Sequence, residues 1–511
     1  MKIEGAVALI TGGASGIGKA ICEKLLQDGA KVQFLDINKT TGEATLKSYT
    51  SQHANGHAKF ICCDVTSHDQ LDAAFRATVK EHGRLDILVN NAAIMDEQDW
   101  EKTLNVNLHA VIRSTFLGIE LMKNGVIINM SSTGGIHPVS FLPAYCASKF
   151  GIVGFSRSVA PAAFRKKGIR VNCVCPGSTD TDIYKTVGNL ELTKEQQELL
   201  VSTHKQKPEA VAECVVDLIK DESTEAGQVV KVTYEDGVEY LNFNDNNEDF
   251  GPCCFCYWWS FRNRARNLRD FAAIRCQDST LLCICSRTKK WHVRGSQVAV
   301  IDINDERGKE VEKTLGEKYG TGSITFIRCD VSVESSLKEA FSSVLSLWGC
   351  IDIVCNNAAV LDEDNWNKTL NTNLGGVIHG TLLALDNMKS GSVIINTSST
   401  AGLVPWKLAP VYCATKHGVI AFTRSIANVA IRDTGIRVNC ICPGRTDTEM
   451  DFPRHRLTKQ EIEAQDSLPK QPVVDVARGV VELIEDDSKI GEVLVICVTD
   501  GTKYKKFVDK I

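Results

Sequence analysis

The strongest constraint on this chain is an internal repeat. The stretch LDILVNNAAI at residues 85–94 returns as IDIVCNNAAV at 351–360, and GIRVNCVCPGSTDT at 168–181 returns as GIRVNCICPGRTDT at 435–448. Self-similarity at a fixed spacing indicates that one structural unit has been built twice. At 511 residues the chain has room for two domains of ordinary size, so the repeat predicts two related domains in tandem.

Short apolar runs alternate with helical patterns in the first repeat. The strand candidates are AVALIT, KVQFLD, AKFICC, DILVN, VIINM, IRVNCVC and QVVKVT, and the helix candidates are 16–28, 68–82, 101–123 and 144–167. Strands separated by helices pair in parallel, because parallel neighbours need a long crossover connection. The pattern therefore predicts an α/β fold, a doubly wound parallel sheet of the Rossmann type, in two tandem copies.

The duplication fails at the start of the second copy. Residues 253–294 contain six cysteines, three tryptophans and nine Lys or Arg, with no glycine, and do not match the first repeat. The predicted organisation is a complete domain at 1–243, a linker plus this atypical segment at 244–294, and an N-terminally truncated second domain at 295–511. The second copy is expected to lack its first strand and glycine-rich loop, although FAAIRC or TLLCICS could serve as a makeshift strand.

Three interpretations of the atypical segment stay open. Its cysteines could bind zinc together with His292, although they lack the usual pair of C-x₂-C arms, and we predict no metal site in the chain. Its basic and aromatic residues could contact nucleic acid or a membrane. A mis-joined exon or a shifted reading frame in the gene would also give this composition, and we favour this interpretation.

The overall composition favours a small-molecule protein. A hydrophobic content of 43%, 24% charged residues and a net charge of −5 give no bulk electrostatic reason to bind nucleic acid or an anionic membrane. The apolar run in MKIEGAVALITGG is too short for a signal peptide, and no apolar stretch reaches the roughly 18 residues of a membrane span. We therefore expect a cytoplasmic protein with mostly reduced, buried cysteines.

The sequence TGGASGIG at residues 11–18 lies between the apolar run AVALI and a helical pattern. Glycines at this spacing let the backbone turn sharply and approach a pyrophosphate, whose charge is stabilised at the helix N-terminus. Asp36 ends the next strand, where its carboxylate would accept hydrogen bonds from the adenosine ribose and repel a 2′-phosphate. The sequence therefore predicts a dinucleotide site for NAD rather than NADP.

The motifs GRLDILVNNA, WEKTL, IINMSS, YCASK and GIVGFSRS carry a family resemblance. The chain resembles the short-chain dehydrogenase/reductase superfamily over residues 5–243 and again over 295–511, and the first repeat looks most similar to its NAD-dependent 15-hydroxyprostaglandin dehydrogenases. The resemblance implies an NAD-dependent oxidoreductase that transfers a hydride between NAD and a secondary alcohol or ketone in repeat 1. The implied substrate is a hydroxy fatty acid or a prostaglandin-like compound.

The same resemblance implies the site residues of repeat 1. The catalytic residues implied are Asn107, Ser132, Tyr145 and Lys149. The cofactor-binding residues implied are Gly12, Ser15, Gly16, Ile17, Gly18, Asp36, Asp64, Val65, Asn91, Ala92, Tyr145, Lys149, Pro176, Thr179 and Thr181. The NNAA at 90–93 replaces the family's commoner NNAG, which is a small departure from the pattern.

Tyr145 and Lys149 suit the removal of a proton from a secondary alcohol. A free tyrosine has a pKa of about 10, too high for a good general base at neutral pH. Lys149 lies one helical turn after Tyr145, so its positive charge on the same face would stabilise the phenolate. In the family's pattern, Ser132 would hold the substrate oxygen and Asn107 would support a water path leading from Lys149.

Repeat 2 keeps the downstream half of this machinery. The counterparts of the four catalytic residues are Asn373, Ser399, Tyr412 and Lys416, and further counterparts are Asp302, Asp330, Asn356, Pro443 and Thr448. Where TGGASGIG should recur, residues 277–284 read QDSTLLCI, without a glycine. Phosphate binding should be lost or severely weakened there, so repeat 2 is predicted to be impaired.

Two alternative functions stay open. One is a carbonyl reductase or steroid dehydrogenase of the same superfamily, and the other is a dinucleotide-binding scaffold or sensor with repeat 2 as an interaction surface. Val139, Phe141 and Leu142 would form an apolar wall that suits a lipid-like substrate, whereas the polar residues 182–207, the expected lid, identify no ligand. Family members commonly dimerise, so we expect an intramolecular pseudo-dimer of the repeats or a homo-oligomer.

Overall fold

The computed structural model describes residues 1–53, 56–186, 196, 205–222, 226–243, 281–285, 297–448, 450 and 457–507. Within these residues the chain forms two compact units, one built mainly from the first repeat and one mainly from the second. The domain boundaries given above stay a prediction. Most of the expected lid and most of the atypical segment lie outside the described residues.

The first unit is organised around one sheet. Its strands are β1 (Val7–Thr11), β2 (Lys31–Asp36), β3 (Ala58–Cys62), β4 (Ile87–Asn90), β5 (Gly125–Met130), β6 (Ile169–Pro176), β7 (Val229–Thr233) and β8 (Gly237–Tyr240). They are ordered β3-β2-β1-β4-β5-β6-β7-β8, and β1 to β7 are parallel while β8 runs antiparallel to β7. The strand order reverses between β1 and β4, where ligands bind in doubly wound sheets.

The seven predicted apolar runs are the seven parallel strands of this sheet. Every residue of β1, β4 and β6 is buried. Helices cover both faces of a parallel sheet, so its strands are apolar throughout rather than alternating. This continuous pattern is why the strands could be located from the sequence, and the predicted α/β fold is confirmed.

Helices flank the first sheet. They are α1 (Gly16–Gln27), α2 (Lys39–Gln52), α3 (His68–His82), α4 (Trp100–Leu104), α5 (Ala110–Leu121), α6 (Pro143–Lys167) and α7 (Pro208–Lys220). Three predicted helices match α1, α3 and α6 to within a residue. The helix predicted at 101–123 is wrong in detail, because a π-helical turn at Asn105–His109 separates α4 from α5. Such turns interrupt the regular hydrogen-bond ladder and are frequent at functional sites.

The second unit repeats this plan. Its strands are β9 (Leu281–Cys285), β10 (Gln297–Asp302), β11 (Ile324–Arg328), β12 (Ile353–Asn356), β13 (Val393–Thr397), β14 (Arg437–Pro443), β15 (Val493–Cys497) and β16 (Gly501–Tyr504), in the order β11-β10-β9-β12-β13-β14-β15-β16. Its helices are α8 (Asp305–Tyr319), α9 (Glu334–Trp348), α10 (Trp366–Leu370), α11 (Gly376–Asn387), α12 (Pro410–Thr434), α13 (Lys459–Asp466) and α14 (Val473–Glu485). A π-helical turn at Asn371–Gly375 lies between α10 and α11, as the corresponding turn lies between α4 and α5 in the first unit.

The two sheets differ at the position of the first strand. No parallel strand equivalent to β1 is described in the second unit, but the position is filled by β9, which lies between β10 and β12 and runs antiparallel to both. Of the two makeshift candidates, TLLCICS therefore supplies the strand, and it precedes the domain start predicted at 295. Leu281 pairs with Asn356 at the end of β12. The chain thus enters β9 at the edge where the parallel strands end and leaves at the opposite edge.

Two further expectations concern the whole chain. Among the described residues, no helix combines the length and the apolar character needed to cross a membrane. Many cysteines are free thiols in the structure, including Cys173, Cys175, Cys440 and Cys442. Cys350 is an exception to the expected reduced state, because it is disulfide-bonded.

Candidate active site

The glycine-rich turn follows β1 at the carboxyl edge of the first sheet. Gly12 and Gly16 have φ angles of +63° and +52°, which side-chain-bearing residues rarely adopt. A Cβ atom on Gly12 would lie 2.8 Å from the Cα of Ala92, and one on Gly18 would meet the carbonyl oxygen of Gly12. The turn therefore needs glycine for its backbone shape and for close packing of α1.

The turn is held by the loop after β4. The Thr11 hydroxyl accepts hydrogen bonds from the backbone N–H groups of Asn91 (3.0 Å) and Ala92 (3.1 Å). In return, Asn91 Nδ2 donates to the carbonyl oxygens of Thr11 (3.1 Å) and Gly12 (3.0 Å). Ser15 precedes α1 without a side-chain capping bond, so the positive end of that helix is available to an anion.

Asp36 closes the other side of the turn. Its Oδ2 accepts from the Ala14 N–H (3.1 Å) and its Oδ1 accepts from the Asn38 N–H (3.0 Å). Asp64, two residues after β3, accepts hydrogen bonds from the backbone N–H and the hydroxyl of Thr66 at 2.9 and 2.7 Å. Both carboxylates are thus fixed in orientation by the protein itself.

These elements open onto one cleft of about 680 Å³ at the carboxyl ends of the parallel strands. The predicted site residues that line it are Gly12, Ser15, Gly16, Ile17, Asp36, Asp64, Val65, Asn91, Ala92, Ser132, Tyr145, Lys149, Pro176, Thr179 and Thr181. Gly18 and Asn107 stand behind this lining, against Gly12 and the loop after β4 respectively. Val139, Phe141 and Leu142 also line the cleft, as predicted for an apolar wall.

Tyr145 and Lys149 lie in the first turns of α6 and are both buried. Lys149 Nζ stands 5.6 Å from the centre of the Tyr145 ring and donates to the Met130 carbonyl oxygen (3.1 Å) at the end of β5. Burial raises the pKa of Tyr145, and a hydrogen bond with Ser132 acts in the opposite direction. Burial lowers the pKa of Lys149 to about 8, because its charge is removed from water.

Asn107 lies in the π-helical turn and is fully buried. Its Oδ1 accepts from the Ile94 N–H (2.9 Å), and its Nδ2 donates to the Ile94 carbonyl oxygen (2.9 Å) and to the Ser148 hydroxyl (3.2 Å). Ser148 in turn donates to the carbonyl oxygen of Tyr145 (2.7 Å). The amide therefore joins the loop after β4 to the helix that carries Tyr145.

Repeat 2 reproduces this side-chain arrangement. Asn373 binds the N–H and carbonyl of Val360 at 2.7 and 2.8 Å, and donates to Thr415 at 3.3 Å. Lys416 Nζ stands 5.5 Å from the centre of the Tyr412 ring and donates to the carbonyl of the residue that ends β13. Burial lowers the pKa of Lys416 to about 8 as well. Ser399 caps the following turn through the Ala401 N–H (3.2 Å), as Ser132 caps Gly134 (3.1 Å) in repeat 1.

Sequence reasoning missed one residue of this region, Glu97. Its carboxylate accepts hydrogen bonds from the backbone N–H groups of Ala144 and Tyr145. A signal was present, because MDEQDW at 95–100 and LDEDNW at 361–366 share the acidic pair at the repeat spacing. The link to α6 could not be foreseen, because 47 residues separate Glu97 from Ala144.

Each repeat is similar to known proteins. The family model described as short chain dehydrogenase matches residues 6–191 and 286–461. The 15-hydroxyprostaglandin dehydrogenase (NAD(+)) of Rattus norvegicus is 40% identical over 258 residues, which cover 48% of this chain and 97% of the relative. The protein of the same name from Homo sapiens is 39% identical over 258 residues, again covering 48% of this chain and 97% of the relative.

Other matches carry different names. The 3-oxoacyl-(acyl-carrier-protein) reductase of Thermotoga maritima is 35% identical over 248 residues, covering 45% of this chain and 98% of the relative. Among solved structures, the 3-ketoacyl-(acyl-carrier-protein) reductase from Brucella melitensis complexed with NADH is 27% identical and covers 45% of this chain and 98% of its own, with a TM-score of 0.40.

The family model covers more than half of the chain and matches it twice. The protein therefore belongs to the short-chain dehydrogenase family, which is a family of oxidoreductases. It contains two tandem copies of the family's fold. It is similar to 15-hydroxyprostaglandin dehydrogenases, and one such relative corresponds to about half of its length.

Proposed function

We propose that repeat 1 is an NAD-dependent oxidoreductase that transfers a hydride between NAD and a secondary alcohol or ketone. The observation that carries this proposal is that the glycine-rich turn, Asp36 and the Tyr145–Lys149 pair line one cleft. A nucleotide bound at the glycine-rich turn and Asp36 would extend toward Tyr145 and Lys149, as hydride transfer at a bound nicotinamide requires. The names of the relatives, which include NAD(+), support the choice of cofactor.

The residues of the cleft fit this cofactor. Gly12 and Gly18 allow the turn to pack closely against the loop after β4, because Cβ atoms there would collide with Ala92 and with the Gly12 carbonyl oxygen. In this shape α1 presents its uncapped N-terminus to a pyrophosphate. The Asp36 carboxylate would accept hydrogen bonds from ribose hydroxyls and disfavour a 2′-phosphate. When bound, NAD supplies the hydride acceptor and a positively charged nicotinamide ring. The remaining contacts that we propose are Ser15, Gly16, Ile17, Asp64, Val65, Asn91, Ala92, Pro176, Thr179 and Thr181.

Tyr145 accepts the hydroxyl proton of the alcohol in this proposal. Because burial raises its pKa, the phenolate needs positive charge beside it in the assembled site. Lys149 supplies one such charge near the ring, and its pKa of about 8 keeps it charged at neutral pH. Ser132 orients the substrate oxygen, and Asn107 holds the loop after β4 against α6.

The substrate that we propose is a hydroxy fatty acid or a prostaglandin-like alcohol. Val139, Phe141 and Leu142 give the cleft an apolar side next to Tyr145. An apolar wall stabilises a hydrocarbon chain by removing it from water, at roughly 0.8 kcal/mol per buried CH₂. The names of the most similar relatives favour the same class.

Repeat 2 is proposed not to bind NAD. In repeat 1 the chain leaves β1 at the carboxyl edge and turns directly into α1. In repeat 2 strand β9 is antiparallel to β10 and β12, so it ends at the edge opposite the end of β13, to which Lys416 is hydrogen-bonded. The direction of the strand supports this proposal independently of the missing glycines.

The test is the stoichiometry of NAD binding, measured by calorimetry on the full chain, followed by a panel of secondary alcohols. We expect one NAD per chain and oxidation of lipid-like hydroxy acids. Gly18→Ala should abolish binding, whereas Gly316→Ala, a helical glycine with open space around it, should leave binding unchanged. Two NAD per chain would contradict the proposal for repeat 2, and none would contradict the proposal for repeat 1.

A second candidate is a reductase that works on ketones. The similarity to 3-oxoacyl-(acyl-carrier-protein) reductases favours it, because those relatives are 35% and 32% identical over most of their length. The same cleft would then use Tyr145 as the proton donor to a carbonyl oxygen. NADH-driven ketone reduction that exceeds NAD-driven alcohol oxidation at neutral pH would identify this direction.

A further inference from the structure

The start of helix α6 lacks a cap from its own sequence. Leu142, at the N-cap position, has φ −130° and ψ 53° and makes no side-chain capping bond, and Pro143 at the first helical position carries no N–H. The first N–H groups that need partners are those of Ala144 and Tyr145. The next one, from Cys146, bonds to the Leu142 carbonyl oxygen at 2.9 Å and begins the helical ladder.

Glu97 supplies both missing partners. Its Oε2 accepts from the Ala144 N–H at 2.9 Å and its Oε1 accepts from the Tyr145 N–H at 2.8 Å. Hydrogen bonds to an ionised carboxylate are shorter and stronger than neutral ones, and a negative charge is favoured at a helix N-terminus. One side chain from elsewhere in the chain therefore completes the turn that carries the proposed proton acceptor.

The position of Glu97 is itself fixed. It belongs to the loop of residues 94–97 between β4 and α4, which we call the bracket. Asn107 binds the N–H and carbonyl of Ile94 at one end of the bracket, at 2.9 Å each. The Thr103 hydroxyl accepts from the Asp96 N–H (3.1 Å) and donates to the Asp96 carbonyl oxygen (2.6 Å) next to Glu97. The bracket thus connects Asn107 to the backbone of Tyr145.

Repeat 2 contains the same construction with different neighbours. Glu363 accepts from the backbone N–H groups of Val411 (3.2 Å) and Tyr412 (2.8 Å), and Thr369 holds Asp362 as Thr103 holds Asp96. The side chain of Glu363 is only 3% exposed. Two copies of the contact within one chain indicate that it is a built feature rather than an accident of one loop.

We propose that Glu97 is the positioning residue of Tyr145, setting the place of the phenol by fixing the backbone at the start of α6. This inference rests on the proposed function of repeat 1. Glu97 does not line the cleft, so it acts through Tyr145 and not on the substrate. A displacement of about 1 Å at a reacting group can cost on the order of a hundredfold in rate, so a backbone contact at this residue has kinetic leverage.

The energetics of the site agree with this role. Burial raises the pKa of Glu97 to about 7, and the hydrogen bonds from the Tyr145 and Ala144 N–H groups oppose that rise. The neighbouring carboxylate of Asp96 adds to the rise. The two N–H donors of the helix therefore offset part of the cost of burying this carboxylate.

The test compares three variants of the full chain. In Glu97→Gln an amide NH₂ group, which is a donor, replaces one of the two oxygens that accept the helix N–H groups. Glu97→Asp keeps the charge, but its side chain is too short to reach both N–H groups. The control is Asp86→Asn, because Asp86 is also a buried carboxylate that accepts a backbone N–H, from Val7 at 2.9 Å, but it precedes β4 at the opposite edge of the sheet. For each variant, steady-state kinetics are measured with NAD and the best alcohol of the panel. Amide hydrogen exchange is measured on the same variants.

We expect Glu97→Gln and Glu97→Asp to lower kcat about 10- to 100-fold, with KM for NAD within about twofold of the wild type. Exchange of the Ala144 and Tyr145 amides should accelerate in both variants and not in Asp86→Asn, whose kcat should stay within about twofold. An unchanged kcat in both Glu97 variants would overturn the inference, and so would an equal fall of kcat in Asp86→Asn. If Glu97→Gln does not fold, Glu97→Asp carries the same two measurements.

Failure of this inference can be distinguished from failure of the proposed function. If the wild type oxidises no alcohol and reduces no ketone, the proposed function has failed. Amide exchange at Ala144 and Tyr145 then still decides whether Glu97 holds the start of α6. If the wild type is active and the Glu97 variants keep full kcat, only the positioning role is refuted.

Discussion

The two repeats share a side-chain network and differ in one strand. The hydrogen bonds that Asn107 makes to the loop after β4 and to α6 agree within 0.2 Å in length with those that Asn373 makes to the loop after β12 and to α12. The distances from the lysine Nζ to the centre of the tyrosine ring are 5.6 and 5.5 Å. The first strand is parallel in one sheet and antiparallel in the other. The network is therefore independent of the strand that leads into the nucleotide-binding turn.

This difference separates two requirements of one site. The tyrosine, lysine and asparagine are positioned by β4, β5 and α6, or by β12, β13 and α12 in the second unit, all of which lie downstream of the glycine-rich turn. Phosphate binding in this fold uses the turn between the first strand and the following helix. A copy can therefore lose its dinucleotide site and still keep a complete, buried tyrosine–lysine pair.

The largest expected effect is on turnover. Tyr145→Phe removes the proposed proton acceptor and should lower kcat about 10²- to 10⁴-fold, the range typical for loss of acid–base catalysis. Tyr412→Phe should change kcat less than twofold, because repeat 2 is proposed not to bind NAD. Steady-state kinetics on both variants check this pair, and equal losses would show that both repeats are active.

A proline in β9 should unfold the second unit selectively. Leu282→Pro removes a backbone N–H from a strand that has neighbours on both sides, and a backbone group left without its partner costs about 1–3 kcal/mol. Leu282→Ala keeps the N–H and serves as the control. Hydrogen exchange resolved by peptide should show loss of protection in β10 and β12 with NAD binding retained. Unchanged protection in the proline variant would mean that β9 does not pair as described.

The buried asparagines should matter equally for stability. Asn107→Ala and Asn373→Ala each leave a backbone N–H and carbonyl in the adjacent loop without their partner, at a cost of about 2–4 kcal/mol. Only Asn107→Ala should also lower turnover. Denaturant unfolding followed separately for each unit measures both losses. A difference of more than about 2 kcal/mol between them would break the equivalence of the two networks.

The smallest effect is a matched pH dependence of the two lysines. Because the folded-state pKa of Lys149 and Lys416 is lowered to about 8, the unfolded chain binds more protons than the native one above that pH. The stability of the wild type relative to Lys149→Met or Lys416→Met should therefore rise by about 1–3 kcal/mol between pH 7.5 and 10. Thermal unfolding across this range checks the sign, and a fall with pH in either pair would contradict the burial of that lysine.

Much of the first unit was predictable because its signals are local. Three of its strands, β1, β4 and β6, are buried throughout, and the glycine-rich turn is a short motif whose backbone shape needs residues without a side chain. The residues predicted around the cofactor, except Gly18, line one cleft because the carboxyl ends of parallel strands share an edge. The π-helical turn between α4 and α5 was missed, since a 3.6-residue pattern continues through it.

The sequence by itself determined the duplicated α/β fold, the place of the glycine-rich turn and the residue types that face the cleft. The fold follows from the repeat and from local apolar runs, the turn from a short glycine motif, and the residues of the cleft from the family resemblance. Only the tertiary structure decided the direction of β9 and the partner of Glu97. A five-residue apolar run has the same pattern in either direction, and a contact across 47 residues depends on where α6 begins in space.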